Sequence, residues 1–255
     1  KITAPNPICL MPTGNDMISR LLLFTLLLLQ IACSDDVEPQ LNLDAGMADG
    51  AVRPITFPRD EAPHKEQMEW WYWTGRVANA AGGHYGFELT FFQPRIAGRF
   101  IHIVHLAITD MVNKKYDPVM QVTADPIPTQ PAKGFKLKVG DTEATGHAGQ
   151  DHIKAKMKGY AFDLTLKSTK PVTLQYGTGW MKVGSDKPFY YYSYTNMAAK
   201  GWLSVAGKKE QVTGKVWMDH QWGTIGQGYG WDWVSLRLDD DSELMLFKVR
   251  RDGKD

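Results

Sequence analysis

Ile153-Lys154-Ala155-Lys156-Met157-Lys158-Gly159-Tyr160-Ala161-Phe162-Asp163-Leu164-Thr165-Leu166-Lys167 is the stretch that decides the fold class. Ile153, Ala155 and Met157 alternate with Lys154, Lys156 and Lys158. Phe162, Leu164 and Leu166 then alternate with Asp163, Thr165 and Lys167. A period of two gives each segment one apolar and one polar face, as in half-buried antiparallel strands. Upstream, Phe135, Leu137 and Val139 alternate with Lys136 and Lys138 in the same way. Gly82-Gly83, Gly140-Asp141 and Gly207-Lys208 stand between such runs as turns. No stretch keeps a helical period between caps. Many short strands with frequent turns predict an all-β barrel or sandwich.

Two segments break the alternation. Glu69-Trp70-Trp71-Tyr72-Trp73 and Phe189-Tyr190-Tyr191-Tyr192-Ser193-Tyr194 carry large residues on both faces. A strand of that kind is covered on both sides, with a cavity expected on one of them. The chain has nine Trp and ten Tyr among 255 residues, which suits a hydrophobic small-molecule partner. Formal net charge is +1, and Lys and Arg are scattered, which argues against nucleic acid. Both cysteines, Cys9 and Cys33, precede the patterned region, so no disulfide is expected within it. Oligomeric state is left open.

The N-terminal part reads as a targeting segment. Arg20 precedes an apolar run from Leu21 to Leu29, too short to span a bilayer but of signal-peptide length. Ile31-Ala32-Cys33 then resembles the end of a bacterial lipobox, which predicts acylation of Cys33 and an exported, membrane-anchored lipoprotein. An ordinary signal peptide cut near Ala32 accounts for the same run. Residues 1–33 are therefore assigned to an upstream segment plus signal peptide, and 34–54, acidic and polar, to a flexible tether.

Chemistry concentrates in Trp217-Met218-Asp219-His220-Gln221-Trp222-Gly223 and in Gly230-Trp231-Asp232-Trp233. Alternation puts Val216, Met218, His220 and Trp222 on one face, and aligns Asp232 with Val234, Leu236 and Leu238. An aspartate on an apolar face must be paired or kept neutral, and a neutral carboxyl in an aromatic pocket is a proton donor. A plain hydrogen-bonded Asp–His pair fits equally well. Glu69 reads as a buried anchor for a backbone amide. His102 and His105 fall on opposite faces of a strand and do not share a metal; no metal ligand set and no cofactor are expected. Leu236–Val249 reads as a hairpin turning at Asp239–Ser242.

Taken in order, Phe57-Pro58-Arg59-Asp60, His64, Glu69-Trp70-Trp71-Tyr72, Thr74-Gly75, Leu89-Thr90-Phe91-Phe92, His105-Leu106-Ala107, Thr109-Asp110, Tyr190-Tyr191-Tyr192-Ser193, Trp217-Met218-Asp219-His220, Trp222-Gly223 and Gly230-Trp231-Asp232-Trp233 resemble the carotenoid 1,2-hydratase family. That family also takes in kievitone hydratase and AttH-like secreted proteins labelled hydrolases. The resemblance implies tandem lipocalin-like antiparallel barrels: a first domain over 55–224 and the truncated start of a second over 225–255. It implies acid-catalysed water addition to an isoprenoid- or lipid-like double bond, with Asp232, His220, Trp222 and Tyr229 catalytic. Glu69, Trp71, Trp73, Tyr191 and Trp231 are the expected substrate contacts. Gln221 stands where many relatives have Glu, leaving one acid fewer. A non-catalytic carrier of a hydrophobic ligand is the competing expectation.

Overall fold

In a computed structural model the described residues are 52–251. The expected alternation is borne out. The strands are β1 (Met68–Asn79), β2 (His84–Phe92), β3 (Arg95–Ile96), β4 (Arg99–Phe100), β5 (His102–Asp110), β6 (Lys115–Thr123), β7 (Phe135–Val139) and β8 (Thr142–His147). They continue as β9 (Gln150–Met157), β10 (Tyr160–Ser168), β11 (Thr173–Leu174), β12 (Trp180–Met181), β13 (Phe189–Val205), β14 (Lys208–Gly223), β15 (Tyr229–Arg237) and β16 (Glu243–Arg251). Among the described residues helix is confined to single 3-10 turns at Arg59–Glu61 and Gln175–Gly177. No helix among the described residues is long and apolar enough to cross a bilayer.

Val52–Ile225 forms one compact unit. Its main sheet runs β6-β5-β2-β1-β14-β13-β10-β9-β8-β7, antiparallel throughout, with β11 and β12 added to β13. Residues of β5 and β6 come near β7, so the sheet curls into a nearly closed, lipocalin-like barrel. The unit's first and last long strands are neighbours: Met68 pairs with Gly223 and Asn79 with Val212. Gly214 permits this close approach, since a Cβ there would meet the Arg76 carbonyl oxygen at 1.9 Å.

The inward set comes from every strand by the same parity: Trp71, Trp73 and Val77 on β1, Phe87, Leu89 and Phe91 on β2, Phe162, Leu164 and Leu166 on β10, and Val216, Met218 and Trp222 on β14. On β13 a register shift between Tyr194 and Met197 changes the parity, so Tyr190, Tyr192 and Tyr194 face inward before the shift and Met197 and Ala199 after it. The aromatic strands are covered on both faces, as expected: outward Trp70, Tyr72 and Tyr191 are as buried as inward Trp71, Trp73 and Tyr192. Residues 229–251 form the hairpin β15–β16, turning at Asp239–Ser242. The assignments made to residues 1–51, including Cys33, lie outside the described residues.

Candidate functional site

The segment preceding β1 crosses one end of the barrel and brings two charged groups inward. Asp60, fully buried, accepts the Thr56 amide at 2.6 Å and pairs with Arg53 Nη1 (2.9 Å) and Arg59 Nη2 (2.8 Å). Its fourth neighbour is His64, with Nε2 3.3 Å from Oδ1. The other nitrogen of His64, Nδ1, donates to Glu69 Oε1 at 2.8 Å, and the His64 amide donates to Glu69 Oε2 at 2.7 Å. Glu69 opens β1 opposite Trp222, on the face shared with His220. His220 Nε2 donates to the same Oε1 at 2.7 Å, and Tyr192, facing His220 across the β13–β14 pair, donates its hydroxyl proton to Nδ1 at 3.1 Å. The result is one relay: arginines, Asp60, His64, Glu69, His220, Tyr192.

The charges along it follow from burial and neighbours. Burial works against ionisation of Asp60, but the hydrogen bonds from His64, Arg59 and Arg53 hold its carboxyl well below the usual range. Burial also penalises His64 as a cation; Glu69 and Asp60 on either side outweigh that and raise its pKa. Glu69 is desolvated yet kept ionised by His64 and by its two histidine hydrogen bonds. Burial pulls His220 down to about 4, against the opposing pull of Glu69, so it is neutral at pH 7 with its proton on Nε2. Tyr192 is pushed well above its ordinary pKa by burial.

Aromatic planes enclose the relay. Trp222 stacks on His64 with centroids 4.1 Å apart, and Trp71 stacks on His220 at 4.4 Å. Tyr190 stacks on Trp222 at 5.2 Å, and Phe57 meets Tyr192 edge-on at 5.1 Å. The indole nitrogens of Trp71 and Trp222 are buried with no hydrogen-bond partner among the described residues. One ring nitrogen each of His64 and His220 and a Glu69 oxygen lie within 4.8 Å of one another, a donor set able to hold a divalent cation. As found, hydrogen bonds join them.

Among the described residues burial raises two carboxyls, those of Asp151 and Asp219. Asp151 on β9 faces inward and accepts Trp73 Nε1 at 2.9 Å, a bond that crosses the lumen because β14, β13 and β10 separate the two strands in the sheet. Burial, with the charge of Glu61, pushes its carboxyl up to about 7. Asp219 faces outward, accepting Ser193 Oγ (2.5 Å), Trp217 Nε1 (2.6 Å) and Tyr191 Oη (2.8 Å); burial pushes it up to about 7 as well.

The residues expected at the site are placed as follows. Asp232 is not desolvated in the hairpin. Its side chain is 54 % exposed and pairs with Arg250 at 2.9 Å, and its face-mate Leu238 is 47 % exposed. Alternation aligned Asp232 with apolar residues, but that face is not buried. Tyr229 and Trp231 belong to the same hairpin, where Arg251 lies over Tyr229 and Trp231 neighbours Phe247. Tyr191 points outward to Asp219, so Tyr192 is the tyrosine that meets His220. Trp71 and Trp73 fill the lumen by packing on Phe135 and on other rings rather than walling an open space. A pocket lined by Trp71, Phe91, Gln93 and His102 holds about 10 Å³, enough for one water at most. Glu69 anchors a backbone amide as expected, and in addition joins two histidines. The part played by His64 was missed; only its place in an ordered motif hinted at it.

Fold and site together define a lipocalin-like barrel with a buried histidine–carboxylate relay at one end. The chain belongs to the AttH-like family, which matches it over residues 49–255. It is similar to a crystal structure of an AttH candidate from Nitrosomonas europaea, 26% identical, with a TM-score of 0.73 over 82% of this chain and 69% of that one. It also resembles kievitone hydratase from Nectria haematococca in fold, at 13% identity and a TM-score of 0.58, over 81% of this chain and 68% of the other. No curated protein matches it in sequence.

Proposed function

We propose that the protein adds water to a carbon–carbon double bond of a hydrophobic, isoprenoid- or lipid-like molecule without a cofactor. The observation that carries this reading is the opposite displacement of two groups in one barrel interior: His220 pulled down to about 4 and Asp151 pushed up to about 7. Titratable groups pushed apart in this way form an acid–base pair. Asp151 takes the acid's role that the sequence suggested for Asp232, and its charge bears on Tyr192, the end of the relay. In the forward step Asp151 gives its proton to one alkene carbon and water oxygen bonds to the other. The water proton passes to Tyr192 as the tyrosine proton moves to His220 Nδ1, and Glu69 stabilises the imidazolium. Proton exchange with solvent then restores Asp151 and His220. Kinship with a hydratase fold supports this reading.

A carrier would have to enclose its ligand, whereas the lumen is filled by the rings of Trp71, Trp73, Tyr190 and Trp222. An enzyme needs only to present a double bond at the barrel end, beneath the half-exposed Phe57 that covers Tyr192. Export and a lipid on Cys33 belong to the same proposal. The test is incubation of the purified protein with isoprenoid alkenes in 18O-labelled water, followed by mass spectrometry. A product heavier by one labelled water, lost in Tyr192→Phe, is expected. Ligands that co-purify and never gain water would point to the carrier instead.

A further inference from the structure

The lysines that look scattered along the sequence are gathered by the pleat. On β7, β9, β10 and β13 the outward positions hold Lys136, Lys138, Lys154, Lys156, Lys167 and Lys200, all exposed. With β8 between β7 and β9, these strands are consecutive in the sheet. The carboxylates on the same outward positions are Glu143 and Asp163, which flank Lys154 across the two strand pairs. Glu143 also binds Lys138 at 2.6 Å, and Asp163 binds His152 at 2.7 Å. Six lysines against two acids leave a surplus of four positive charges on one face, in a chain whose total is +1. Neutral total charge therefore conceals a strongly polarised molecule.

We propose that this outer face of β7–β10 and β13 docks on anionic lipid headgroups. Neighbouring strands lie about 5 Å apart and alternate residues about 7 Å apart, so the ammonium groups form a broad two-dimensional array rather than a line. Every cation in it is a lysine, a flexible point charge that suits a fluid array of phosphates; there is no arginine fork for fixed bidentate contacts. The face lacks an aromatic platform on which bases could stack: Trp202, at its β13 edge, is already covered by Lys209 at 3.7 Å. A polybasic surface of this kind binds by summed attraction to an acidic leaflet and weakens with salt.

The experiment is flotation of the full chain with phosphatidylcholine vesicles, with and without phosphatidylglycerol, across a salt series. Wild type should partition to the phosphatidylglycerol vesicles at low salt and leave them as salt rises. Replacing Lys136, Lys138, Lys154 and Lys156 together by Gln should weaken that partition on the order of a thousandfold, with the thermal midpoint unchanged. Any contribution from the N-terminal segment is common to both proteins and cancels in the comparison. A quadruple variant that binds the phosphatidylglycerol vesicles like wild type at every salt concentration would overturn the proposal. So would a preference for duplex DNA over the vesicles, which would assign the face to another polyanion.

Discussion

Replacing Asp151 by Asn should flatten the dependence of stability on pH. The carboxyl is buried, accepts the Trp73 indole N–H, and is pushed up to about 7 in the folded chain against an ordinary 3.8. That displacement of about three pH units corresponds to about 4 kcal/mol. The folded state binds this proton more tightly than the unfolded chain does, so unfolding releases it between the two pKa values. Stability from this group is therefore whole below about pH 4 and falls as pH rises toward 7. Between about pH 5 and pH 8 wild type loses about 3 kcal/mol through Asp151 alone, and a similar amount through Asp219. Asn keeps an oxygen for the Trp73 indole and has no proton to lose. Urea unfolding of both proteins at the two pH values gives the comparison. Asp151→Asn should lose about 3 kcal/mol less than wild type over that interval, with the same m-value. Parallel losses in the two proteins would show that Asp151 is not held protonated by burial, and would remove the acid from the proposed mechanism.

Glu69→Gln turns a carboxylate that accepts from His64, Gln93 and His220 into a group with donors of its own, and should cost about 3–5 kcal/mol by thermal or urea unfolding; a cost under about 1 kcal/mol would contradict the relay. Tyr192→Phe should lower water addition by at least tenfold while Tyr191→Phe leaves it within about twofold, because only Tyr192 touches His220; steady-state rates on any accepted alkene decide this. Cys33→Ser should abolish incorporation of a tagged fatty acid in cells, and equal labelling of both forms would remove the lipid anchor.

Local pattern carried the strands, turns and shared faces, since a period of two is written in consecutive residues. It did not carry pairing. That Glu69 lies opposite Trp222 and within reach of His220 depends on β1 meeting β14, and nothing in either segment announces the other. The choice between Tyr191 and Tyr192 depends on the same missing register: both are aromatic, adjacent and buried, and only strand pairing decides which one faces His220. Asp232 shows the complementary limit. Its face-mates were identified correctly, but alternation groups residues without saying which group meets solvent. The two carboxyls that burial raises were present in the sequence as Asp151, beside the lysine-rich alternation, and Asp219, within the tryptophan motif. Neither differs locally from an ordinary surface aspartate.

The pairing of β1 with β14 also sets a timetable. At a synthesis rate of roughly 5–20 residues per second, Gly223 follows Met68 by on the order of ten seconds. Once β2 has emerged it pairs with Trp70, Trp71, Tyr72 and Trp73 on one side of β1, while β14 on the other side has yet to be made. The nascent hairpin thus offers an aromatic edge to any passing strand, and closing the barrel is a race between its own late partner and aggregation. A holdase that shields β1 until β14 emerges should raise the yield of folded protein more than one acting on the completed chain.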